Sequence, residues 1–133
     1  MHSTRAVPKK PKARPKNLSL TTIRLPLPAL VSILHRVSGF LLFLLLPLML
    51  WVLQQSLSSP AGFEQVLDLA THPLMKLLLL GLAWAFFHHF LAGLRHLAMD
   101  MRWGIELPQA RLTAKLVLVS SLLLTILAGV KLW

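Results

Sequence analysis

Between positions 86 and 100 the chain reads FFHHFLAGLRHLAMD, which places His88, His89 and His96 beside Arg95 in an otherwise apolar run. Ionisable groups in such a run need a partner or a cavity, since Arg at the centre of a membrane span costs roughly 2.5 to 3.5 kcal/mol. On a helix His89, Gly93 and His96 are spaced by four and three and share one face; His88, Ala92 and Arg95 share the adjacent face. Gly93 leaves a bare patch one turn from His89, where a large planar group can approach the backbone. Seven residues at about 1.5 Å each set His96 roughly 10 Å along the axis from His89. That is the order of the separation between a haem iron and its propionates. The pattern predicts iron at His89 and carboxylates met by Arg95 and His96.

A second cluster lies in SILHRVSGF, residues 32–40, where Ser32, His35 and Arg36 stand at spacings of three and four. If the two runs are antiparallel helices, this face comes level with Arg95 and His96. His35 and Arg36 then add cations for propionates, and Arg36 is also free to reach an interfacial pocket. A quinone suits such a pocket: its carbonyl oxygens need donors and, on reduction, protons. Ser32 can donate, and Asp100 with His35 can relay protons. Each residue also has a plainer use. The histidines can bond between helices, Arg36 can snorkel to lipid phosphate, and Ser32 can bond its own backbone. No Met or His elsewhere stands at the depth of His89, so a second axial ligand has to come from another chain. This expectation makes the protein part of a hetero-oligomer, with Ser120, Ser121, Ala128 and Gly129 as candidates for close helix packing.

The elements that position these residues follow from composition. The chain has 133 residues, 56% of them hydrophobic, and 14 Lys and Arg against 4 acidic residues. It is too apolar for a soluble domain of this size. Three stretches suffice for spans of about 20 residues, near 29–53, 74–97 and 113–132. The reading is an all-α membrane protein with a basic segment, 1–28, ahead of a three-helix transmembrane domain, 29–133. Pro47 is expected to kink the first span, and 54–73 reads as a loop with a short amphipathic turn. Cysteine is absent, so thiolate metal sites, iron–sulfur ligation and covalent haem attachment are excluded. Residues 1–36 hold eight Lys or Arg, 54–73 none and 95–115 four, which predicts a cytoplasmic N-terminus and second loop. The run from Lys9 to Lys16 reads as a solvated tail drawn to anionic lipid or an acidic partner. Nucleic acid is not expected, because no globular domain presents the tail to a groove. With no short apolar stretch before a small-residue cleavage site, a secretory signal is not expected either.

The stretches RPKNLSLTTIRLPLPALVSILHRVSG, SSPAGFEQ, HHFLAGLRHLAMD and LAGV together resemble the cytochrome b membrane-anchor subunit of succinate dehydrogenase, respiratory complex II. The likeness covers nearly the whole chain. It implies half of a heterodimeric helical bundle: a second three-helix anchor shares a haem b and supplies its other ligand, and a flavoprotein subunit and an iron–sulfur subunit dock on the pair. It implies His89 as axial ligand, His35, Arg36 and His96 near the propionates, Ser32 and Arg36 at the ubiquinone site, and Asp100 linked to that pocket. His88, directly before the ligand, departs from the family pattern. The expected place is the inner membrane of a bacterium. Two other readings share parts of the pattern: the anchor of a fumarate reductase, and a cofactor-free membrane assembly or transport protein.

Overall fold

A computed structural model describes residues 22–133; the basic run from Lys9 to Lys16 lies outside the described residues. Four helices follow one another: α1 (Leu27–Ser58), α2 (Pro60–Thr71), α3 (Pro73–Asp100) and α4 (Leu107–Leu132). Among the described residues there is no strand, and α1, α3 and α4 are long and apolar enough to cross a bilayer, with mean hydropathies of 2.2, 1.8 and 2.0.

Each span exceeds its expected bounds, and prolines explain where they begin. Pro28, Pro73 and Pro108 sit in the first turns of α1, α3 and α4, where a missing N–H costs nothing and the fixed φ suits the helix. α4 thus starts at Leu107, six residues before position 113, with Pro108 in its first turn. α1 continues through Pro47 as unbroken helix. Its 32 residues amount to about 48 Å, against about 30 Å of hydrocarbon.

The expected outer loop is largely a 12-residue helix, α2. Ser59 caps it, accepting from the Gly62 N–H at 3.0 Å, and Pro60 occupies its first turn. Gly62 is buried, since a Cβ there would lie 2.5 Å from the Gln55 carbonyl oxygen; α2 therefore folds back tightly on the end of α1. Phe63 and Leu67 share one flank and stay exposed, with Glu64 and Asp68 on the polar arc beside them, the pattern of a helix lying in an interface.

α3 is the central element, packing along α1 on one side and α4 on the other. Val31, Ala92, Ala114 and Val117 form the core between them, at the end where α1 begins, α3 ends and α4 begins. No buried apolar side chain among the described residues is larger than valine, and His88 is the largest side chain fully buried. At the other end Gly129 lets α4 approach, a Cβ there falling 2.9 Å from Leu80 Cδ2. Ser121 and Thr125 are buried on the same helix, each hydroxyl bonded to its own backbone.

α3 closes in a Schellman motif: Trp103 N–H reaches the Ala98 carbonyl and Arg102 N–H the Met99 carbonyl, both at 2.9 Å. The motif calls for a left-handed residue, usually glycine, and here it is Arg102 with φ of 63°. A non-glycine residue there carries about 1 to 2 kcal/mol of backbone strain. Arg102→Gly is expected to stabilise the purified protein by that order, read as a higher thermal unfolding midpoint; a fall would show that the Arg102 side chain contributes more than the strain it carries.

Candidate functional site

α1 and α3 face each other through three imidazoles. The His35 ring stacks on His89 with centroids 4.3 Å apart and planes 7° from parallel, and meets His96 at 5.0 Å with a 50° tilt. Gly93, midway between the two α3 histidines, lies below His35; a Cβ built there would be 3.5 Å from His35 Nε2. Sequence reasoning set His35 at the level of His96. The structure seats it between His96 and His89, because the bare backbone at Gly93 leaves room for its ring.

The orientation of His89 follows from its neighbours. Nδ1 lies 3.0 Å from the His35 carbonyl oxygen and 3.4 Å from Ser38 Oγ. A carbonyl only accepts, and the Ser38 hydroxyl donates its proton to that same carbonyl at 2.9 Å. Nδ1 must therefore carry the imidazole proton, which leaves the lone pair on Nε2. This is the tautomer a metal ligand needs, with the second nitrogen held by backbone in the way ligating histidines are. The ring is half-buried, as are His35 and His96. Among the described residues no three His, Asp or Glu side chains converge to hold a bare ion; one imidazole with its Nε2 free and a guanidinium, Arg36, at the same end of the bundle fit a haem, which would bring the remaining donors itself.

His88 and Arg95 turn the other way. His88 is fully buried, stacked on Trp84 at 5.2 Å, and neither ring nitrogen has a hydrogen-bond partner among the described residues. Arg95, expected near propionates, instead donates from Nε to Thr113 Oγ1 at 3.0 Å and from Nη2 to the Ala110 carbonyl at 3.3 Å. Its position on the face adjacent to His89 carries it toward α4. Arg95 thus ties α3 to α4 and does not join the imidazole cluster. Thr113→Val is expected to destabilise the α3–α4 contact by about 1.5 to 3 kcal/mol, the range for a hydrogen bond to a charged group, measurable as a lower unfolding midpoint.

Ser32 is half-buried, Arg36 and Asp100 are exposed, and all three belong to the end of the bundle that holds the imidazoles. Arg36 and Asp100 form no ion pair with described residues, so they stand open to a ligand or a partner. Ser38 and Gly39 were passed over in sequence reasoning, although both stand in SILHRVSGF; Gly39 within an apolar helix, one turn after His35, was the available signal. An open apolar groove of about 640 Å³ lies at the opposite end, lined by Met49, Leu80, Phe87 and Trp133 among others. It contains no group that could do redox or proton chemistry.

Three apolar helices with a histidine cluster between two of them define a small helical membrane protein. Its sequence places it more narrowly: residues 10–128 match the profile of the succinate dehydrogenase/fumarate reductase transmembrane subunit, and the chain belongs to that family. It is 40% identical to the succinate dehydrogenase cytochrome b556 subunit of Coxiella burnetii over 121 residues, 90% of this chain and 97% of that protein. The cytochrome b556 subunit of Paracoccus denitrificans is 35% identical over 114 residues, covering 86% and 88% of the two chains. The cytochrome b560 subunit of Reclinomonas americana is 30% identical over 122 residues, covering 88% and 85%.

Proposed function

We propose that this chain is the cytochrome b anchor of a succinate:quinone oxidoreductase, holding haem b through His89 and contributing Ser32 and Arg36 to a ubiquinone-reduction site. The observation that carries the reading is the His89 imidazole, whose proton is fixed on Nδ1 by the His35 carbonyl and whose Nε2 is left as a ligand. Arg36 supplies positive charge for propionates, and the His35 and His96 rings, packed over and beside Gly93, offer them N–H donors. Arg95 serves this site indirectly, by holding α3 against α4. The haem, when bound, supplies a one-electron redox couple close to the quinone.

The remaining roles belong to the side chains. The Ser32 hydroxyl donates to one quinone carbonyl, and the Arg36 guanidinium stabilises negative charge on the oxygens as electrons arrive. Two electrons from succinate, delivered through the partner subunits, and two protons convert quinone to quinol. His35 and Asp100 lie at the same end of the bundle and carry protons inward from the water phase. The partners of this reading are a second membrane anchor with the other haem ligand, an iron–sulfur subunit, a flavoprotein subunit and the surrounding lipids. The excess of Lys and Arg before α1 and around the α3–α4 turn supports a cytoplasmic N-terminus in the inner membrane of a bacterium.

The test is a reduced-minus-oxidised spectrum of the complex purified through this chain, paired with a succinate–quinone reductase assay. A b-type band and quinone reduction are expected. An intact complex with neither would leave the histidines as interhelical hydrogen-bonding groups.

A further inference from the structure

We infer that Gly39 is the positioning residue for His89: the missing side chain there seats the imidazole against the main chain of α1, where its Nδ1–H meets the His35 carbonyl. The inference rests on His89 as the haem ligand and concerns what orients it. A Cβ built on Gly39 would lie 2.5 Å from His89 Cε1, 3.0 Å from Nδ1 and 3.5 Å from Nε2. Carbon atoms in contact keep about 3.5 to 4.0 Å, so any side chain at this position must push the ring about 1 Å away from α1. The two glycines of α3 differ. A Cβ at Gly81 meets nothing within 4 Å, and one at Gly93 makes only an ordinary 3.5 Å contact with His35.

The displacement has a chemical consequence. The His35 carbonyl already receives the Ser38 hydroxyl at 2.9 Å and His89 Nδ1 at 3.0 Å, and by helix geometry the Gly39 N–H as well. The seat for the ring and the acceptor for its proton therefore belong to a single turn of α1. Moving the ring from Gly39 stretches its bond to the carbonyl, loosens the tautomer and turns Nε2 off its line. An acceptor on the far nitrogen also raises the basicity of a ligating imidazole, so its loss alters the electronics of the metal as well as its retention. A glycine in mid-helix costs about 0.5 to 1 kcal/mol relative to alanine, so without the His89 contact Gly39→Ala would be neutral or stabilising, as Gly81→Ala is expected to be.

The experiment compares the assembled complex carrying Gly39→Ala, Gly81→Ala or His89→Ala, reading haem per complex, the reduced absorption spectrum and the haem midpoint potential. Expected for Gly39→Ala is a drop in haem affinity of about 10- to 100-fold, the range seen when support of a ligand is removed, with a shifted potential in the haem that remains. Gly81→Ala should match the unmodified complex. Gly39→Ala with unchanged haem content and potential overturns the inference. Retention of haem by His89→Ala would instead overturn the ligand assignment beneath it. Should Gly39→Ala fail to assemble, His89→Gly complexes supplied with imidazole or N-methylimidazole decide the matter. Imidazole should restore the original potential and N-methylimidazole, with no N–H for the His35 carbonyl, should not; equal potentials overturn the inference.

Discussion

His89→Ala should abolish the reduced b-type absorbance of the assembled complex, and His88→Ala should leave it in place. The two histidines are neighbours in sequence, yet a helix turns their side chains about 100° apart. His89 lies half-buried on the α1 side with its Nε2 uncommitted, whereas His88 is fully buried against Trp84. A large planar cofactor could reach the first and not the second. Loss of the ligand itself should exceed the about 10- to 100-fold loss of affinity caused by removing support around a ligand. The effect of His88→Ala falls on packing: it opens a cavity at the largest fully buried side chain, offset by removal of two unpaired ring nitrogens that are costly in an apolar interior. Dithionite-reduced spectra at equal complex concentration, with assembly checked by subunit content, separate the two. Equal losses in both variants would show that packing, not ligation, accounts for His89.

The second large effect is expected at the quinone. Arg36→Leu should lower quinone reduction by about 100-fold or more, the scale of removing a group that stabilises developing negative charge. Ser32→Ala should cost about 10-fold, the order expected when an acceptor is left without its donor. Both should leave electron delivery from succinate to a soluble dye unchanged, because neither side chain takes part in the bundle core. Arg36 is exposed and Ser32 half-buried, one turn apart on α1. The dye rate is the control: if it falls together with quinone reduction, the residues are needed for assembly and not for the quinone.

The three spans were legible in the sequence because their apolar runs are long, and the division of His88 and Arg95 from His89 and His96 was legible because helical spacing settles angles about a single axis. It does not settle which neighbour lies at each angle. Arg95 could be placed on the face of His88, but only the packing of α4 shows that this face meets Thr113 and Ala110. The α2 helix was missed for a related reason. Ser59, Pro60 and Gly62 read as loop punctuation, whereas in the fold they are an N-cap, a first-turn proline and a close contact with Gln55. Gly39 was only half legible: a glycine in an apolar helix one turn after His35 marks a close approach, but the ring that makes it lies fifty positions later in the chain.

The narrowness of the interior has one more consequence. Helices that meet through alanine and valine come close together but gain little dispersion from each other, while Phe43, Leu57 and Val130 and many like them look outward. Much of what holds such a chain in shape lies outside it. The folded form is therefore stabilised by whatever covers those outward side chains, since binding only the folded form is what raises stability.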